Sequence, residues 1–335
     1  MINKLIYGKQ QANALKGVAI LFMLCFHLFA PNTLTPQKGL SFSFTGIDYI
    51  IGQFCDRTVP LYIFITGYAI YSKQFLLKNI ILKKVLPLYY RIWLLSIIFL
   101  PILFLSDLIK WKLSTFLHTI ILGDGYIRIW WYVSFYTMVM ILWWCYGLLS
   151  SKIKLILQFI IPILALICCF FIDDKYNLPF YIDRFIKFSI YILLGLYCAK
   201  YHIFDNLPII NKNKLKTFAI LSILIYVNFI NLPDFMYRCY RIFTFPLMVA
   251  CFIHLTSGKY MSIIFGYLGK HSTNIWLIHG FFYYYFYDFV YSPRYWILIL
   301  IAFLALNIFC SIMFNQLINR INSLQKIVYT TKLKN

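Results

Sequence analysis

His27 stands in the first apolar segment, Asn13-Ala-Leu-Lys-Gly-Val-Ala-Ile-Leu-Phe-Met-Leu-Cys-Phe-His27, eleven residues after Lys16. An imidazole exchanges a proton near neutral pH, and it can also carry an acyl group as a nucleophile. Eleven residues of α-helix turn through roughly 1100°, three turns plus about 20°, and rise about 16 Å. Lys16 and His27 therefore share one helix face, with a cation near one end and an imidazole deep in the segment. Ionisable groups inside apolar spans are costly and mark functional sites. The plainer reading of His27 is a structural histidine bonded to a neighbouring helix.

Asp56-Arg57 is the second pair of interest, placed four residues before Pro60 inside another apolar stretch. A helical proline frees the carbonyl four residues back, here that of Asp56, and bends the chain. Within lipid such a break is tolerated where the backbone lines a cavity or is otherwise satisfied. An internal ion pair that holds helices together would account for the same two residues. Further on, Lys78, Lys83 and Lys84 precede Pro87-Leu-Tyr-Tyr-Arg91. These cations either signal topology or hold the phosphates of an anionic donor. His279 lies mid-span in Asn274-Ile-Trp-Leu-Ile-His279, Trp131-Tyr132 opens a span, and Arg184 and Lys187 open another. The aromatic run from Phe281 to Tyr287 suits an interfacial belt or a stacking groove.

Composition sets the elements that must position these groups. Of 335 residues, 62% are hydrophobic and only 12% charged. A soluble domain carries about twice that charge fraction. The formal net charge of +21 comes from 31 Lys and Arg against ten acids, all of them Asp. The cations are spread over short loops, so nucleic acid is an unsuitable partner. The nine cysteines lie almost wholly in apolar segments without a CxxC pair, which argues against a zinc site or a disulfide framework. His118, His202, His254 and His271 lack metal-ligand spacing, and no metal is expected. No phosphate-cradling glycine loop, dinucleotide-binding pattern or nucleophile elbow is present.

Apolar stretches fall near 13–31, 46–72, 85–106, 130–149, 153–172, 183–200, 215–231, 239–256, 271–291 and 295–318. They predict an all-α, polytopic membrane bundle of about ten transmembrane helices, with the first retained as a span rather than cleaved. With both termini cytoplasmic, nineteen Lys and Arg fall inside and ten outside, while Asp shows the opposite bias. The expected setting is a bacterial-type plasma membrane. Residues 107–129, with Trp111 and His118, read as an amphipathic surface helix. No loop is long enough for a soluble catalytic domain, so residues 1–335 form one membrane-embedded domain and any chemistry occurs between helices.

These segments together resemble the membrane acyltransferase-3 family. Leu15-Lys-Gly through His27 is similar to its opening helix, in which a basic residue precedes a histidine by eleven. Asp56-Arg-Thr-Val-Pro through Thr66-Gly67-Tyr, Lys83-Lys-Val-Leu-Pro87, Trp131-Tyr132 and Leu268-Gly-Lys-His through His279 resemble the later blocks in order. The family usually has Arg where this chain has Lys16; lysine keeps the charge without the bidentate fork. The resemblance implies an O-acyltransferase that moves an acetyl group from cytoplasmic acetyl-CoA to a hydroxyl of a cell-surface polysaccharide or its lipid-linked precursor. Acetyl-CoA would be a co-substrate, with no tightly bound cofactor. Lys16, Lys83, Lys84 and Arg91 would hold the donor. His27 would be base or nucleophile, Arg57 would orient the acceptor or stabilise the oxyanion, and Asp56 would fix Arg57 or His27. Trp131, Tyr132 and His279 would contact the acceptor. The rival class is a multi-span transporter or flippase for a lipid-linked or anionic small molecule, which polar residues around a cavity would suit equally.

Overall fold

The computed structural model describes residues 7–30, 46–72, 80–171, 178–205, 213–230 and 232–332. Lys78 lies outside them. The described residues are almost wholly helical and contain no strand. All ten apolar stretches overlap helix. Five helical segments are long and apolar enough by themselves to cross a membrane: Lys9–Phe29, Ile81–Leu105, Ser151–Cys168, Asp234–Thr256 and Trp296–Leu324.

Helix α1 is Lys9–Phe29. The second stretch is broken where Asp56 and Arg57 sit. Helix α2 (Ile47–Phe54) runs into a 3-10 turn, Cys55–Arg57, and then into α3 (Thr58–Ser72). Pro60 falls in the first turn of α3, where a missing N–H leaves no helical bond unmade. The loosened carbonyls are met locally. The Thr58 hydroxyl donates to the Cys55 carbonyl at 3.1 Å, and Arg57 Nη1 donates to the Phe54 carbonyl at 2.9 Å. Side chains at the break thus satisfy the carbonyls of Phe54 and Cys55.

A π-helical turn, Ile81–Val85, leads into α4 (Leu86–Leu105). The expected surface helix is short. Helix α5 (Leu113–Leu117) passes into a second π turn, His118–Leu122, which ends at Gly123 with φ of 79°. A 3-10 turn, Arg128–Trp131, precedes α6 (Tyr132–Leu148). Then come α7 (Ser151–Phe171), α8 (Phe180–Lys200) and α9 (Lys214–Tyr226). Helices α10 (Asp234–Thr256), α11 (Lys259–Tyr285), α12 (Tyr287–Tyr291) and α13 (Trp296–Lys332) complete the chain. Helix α11 begins at Lys259, well before the apolar stretch near 271, because Lys259, Lys270 and His271 interrupt the hydropathy without breaking the helix. Helix α13 outruns its apolar stretch for the same reason.

Two helix pairs form the centre. Helix α1 lies parallel to α11, with Gln10 Nε2 donating to the Ser262 hydroxyl at 2.6 Å near one end and His27 beside His279 near the other. Helix α3 lies along α8. Each pair is closed by reciprocal glycines. A Cβ on Gly17 would overlap the Phe265 carbonyl, and one on Gly269 the Asn13 carbonyl. Gly67 and Gly195 stand in the same relation to the carbonyls of Ile192 and Phe64. Helix pairs in lipid associate mainly through such close backbone packing, which only small residues allow. At the other extreme α7 is peripheral, with Ile153, Leu155, Ile156 and Phe159 all exposed.

Candidate active site

A cavity of about 890 Å³ opens between α1, α3, α4, α6, α8 and α11. Its walls follow the polar stripe of α1: Lys16 and His27 both line it, as their eleven-residue spacing requires. One end carries Lys84 and Arg91. Hydroxyl groups of Tyr62, Thr66, Ser272 and Thr273 line the stretch beside Lys16. His27 follows with Asp56, Thr58, Trp131 and Tyr132, and the far end carries Arg128, Phe180, Arg184 and Tyr284.

Local structure explains which of the neighbouring residues reach this space. Lys84 lines the cavity, whereas Lys83, expected beside it on the donor, is exposed and lies off the wall. Adjacent residues on a helix point about 100° apart, and the π turn sets which one faces inward. Arg91 is aimed by two amides. Its Nη1 donates to the Asn274 Oδ1 at 2.5 Å and lies 3.4 Å from the Asn315 Oδ1, and Asn274 Nδ2 donates to that same oxygen at 2.9 Å. Helices α11 and α13 therefore hold an α4 guanidinium at the cavity wall.

Asp56 and Arg57 part company at the 3-10 turn. Asp56 faces the cavity and pairs with Arg241 of α10 at 3.1 Å. Arg57 is 5% exposed and turned into the protein. Its guanidinium lies 4.9 Å from the Phe54 ring and bonds the Phe54 carbonyl, and it is not among the residues that line the cavity. It braces the broken backbone instead. Asp56 correspondingly takes Arg241, rather than Arg57 or His27, as its ion-pair partner.

His279 also moves from its expected place. It is fully buried and sits behind His27 instead of on the wall, with the two ring centroids 5.2 Å apart. The His279 Nδ1 lies 2.7 Å from the Trp276 carbonyl. A carbonyl only accepts, so Nδ1 carries the proton and Nε2 has the free lone pair. The His279 Nε2 and the His27 Nδ1 are both buried without a hydrogen-bond partner. The Tyr283 ring, 5.6 Å from that of His27, closes the same side. His27 is thus enclosed on the side of Nδ1 and open toward the cavity.

Arg241, Arg128, Arg184 and the Asn274–Asn315 pair were not assigned a role by spacing. Arg241 was the most accessible of them, being a cation within an apolar run that needed an acid at similar depth. Among the described residues no three metal-ligating side chains gather.

A histidine and a set of cations around one cavity suit group transfer from an anionic donor. No curated protein and no solved structure matches the chain. Residues 10–316, nearly the whole length, match the acyltransferase-3 family (Acyl_transf_3), described as an acyltransferase domain, and this multi-pass membrane protein belongs to that family.

Proposed function

We propose that the protein transfers an acetyl group from cytoplasmic acetyl-CoA to a hydroxyl of a cell-surface polysaccharide or its lipid-linked precursor. The observation that carries this reading is the single cavity whose wall includes Lys16, Lys84 and Arg91 as well as His27. The three cations hold the donor's phosphates by charge-assisted bonds. The slender pantetheine arm extends along the hydroxyl-lined stretch, bringing the thioester to His27. The acceptor arrives from the end bearing Trp131 and Tyr132.

His27 acts as general base. Its cavity-facing nitrogen takes the proton of the acceptor hydroxyl as that oxygen attacks the thioester carbon. The tetrahedral intermediate expels the CoA thiolate, which recovers the proton from the imidazolium. His279, behind the ring, holds His27 in the orientation that presents this nitrogen.

The test uses purified protein in lipid nanodiscs, acetyl-CoA and de-O-acetylated surface polysaccharide. Acceptor-dependent release of CoA, with an acetyl mass increment on the glycan, is expected. Movement of a solute across the membrane without CoA release would favour the transporter class and overturn the proposal. A second measurement addresses the donor end. Lys84→Gln should raise the KM for acetyl-CoA about tenfold, the effect of losing roughly 1.4 kcal/mol of a charge-assisted bond. The exposed Lys83→Gln should change it little. Equal effects of the two substitutions would remove Lys84 from the donor site.

A further inference from the structure

The far end of the cavity holds two guanidinium groups that the proposed donor chemistry does not use. Arg184, near the start of α8, lies beside two aromatic rings that meet edge to face: its Cζ is 5.2 Å from the Phe180 ring and 5.6 Å from the Trp131 ring. Its Nε is buried and has no hydrogen-bond partner. Arg128 lies one turn before Trp131 and is exposed. Both line the cavity.

The acids around them are already engaged elsewhere. Asp183, next to Arg184 in sequence, pairs with Lys187 at 2.7 Å. Asp124, on the same wall, pairs with His118 at 3.3 Å. Asp56 pairs with Arg241 at 3.1 Å. Neither Arg128 nor Arg184 makes a salt bridge among the described residues. Both guanidinium groups line one cavity, where an anion could reach them. The ring contacts restrain the Arg184 guanidinium, a group whose planar fork can bind two oxygens of one anion.

From this end of the site we infer that the acceptor is an anionic carbohydrate, its carboxylate or phosphate held between Arg128 and Arg184 and a sugar ring laid against Trp131. The inference rests on the acyl-transfer reading and names its substrate class. A neutral glycan would satisfy the aromatic surface but leave both guanidinium groups unmatched. A carboxylate would belong to a uronic acid unit, a phosphate to a lipid-linked precursor or a phosphodiester polymer.

Binding is measured on the full chain in nanodiscs of zwitterionic lipid, which supply no net headgroup charge. The probes are a neutral tetrasaccharide, a tetragalacturonate and a prenyl diphosphate sugar. At least one charged probe should bind ten times more tightly than the neutral one, and which of them does so identifies the source of the anion. Arg184→Gln should weaken that binding tenfold or more and leave the neutral probe unaffected. Arg128→Gln, at an exposed residue, gives the same reading if Arg184→Gln fails to fold. Equal binding of neutral and charged probes, or unchanged affinity in folded variants, overturns the inference. CoA release is followed in the same samples. Anion-selective binding without CoA release sinks acyl transfer and leaves the anion site standing. CoA release with no preference for charge does the reverse.

Discussion

His27→Ala is expected to eliminate acceptor-dependent CoA release while the protein still inserts and purifies normally. General-base catalysis contributes roughly 10²–10⁴-fold, and no other described imidazole lines the cavity to replace it. The loss should appear in kcat, because the donor cations lie along α1 and α4 at the other end. His279 gives the complementary result. It is buried behind the reacting ring and touches no substrate, so His279→Phe should lower kcat by tenfold or more with the KM for acetyl-CoA unchanged. Wild-type turnover by His27→Ala would refute the mechanism, and a pure KM effect in His279→Phe would return that residue to the acceptor site.

The second large effect concerns the helix pairs. In a helix interior Gly→Ala normally stabilises by about 1 kcal/mol. At Gly17, Gly269, Gly67 and Gly195 the added methyl meets a backbone carbonyl that no side-chain rotation can move aside. Overpacking of this kind costs about 1–3 kcal/mol or more, so the sign reverses. Gly266, in the same helix as Gly269, has open space where its Cβ would lie. Melting curves in detergent should therefore rise or hold for Gly266→Ala and fall for Gly17→Ala and Gly269→Ala. Leucine at Gly17 should abolish the monodisperse fold. Matching behaviour at Gly266 and Gly269 would show that the pairs are not held by backbone contact.

Much of the cavity was legible from one stripe and one break. The Lys16–His27 spacing gave a shared face because helical phase is fixed over a single uninterrupted element. The Asp56–Pro60 spacing foretold a break because proline acts locally. What the chain concealed was long-range or depended on phase. Asp56 and Arg241 are 185 residues apart, and many partners were compatible with either. The choice between Lys83 and Lys84 depends on a π turn just before Pro87, and a proline marks a local disturbance without fixing which neighbour faces inward. His279 was singled out, but nothing in its own segment distinguishes a residue on a cavity wall from one behind it. The glycine contacts need two helices at once, so neither Gly17 nor Gly269 is distinctive alone. The extra turns of α11 and α13 were hidden because hydropathy reports what faces lipid and not where a helix stops.

The cavity wall carries Lys16, Lys84, Arg91, Arg128 and Arg184 against Asp56 and Asp124, and those two acids are engaged by Arg241 and His118. Positive groups at the mouths of a pore exclude protons and metal cations. The same charges that would draw an anionic reactant into the cavity would also keep protons and metal ions out of it.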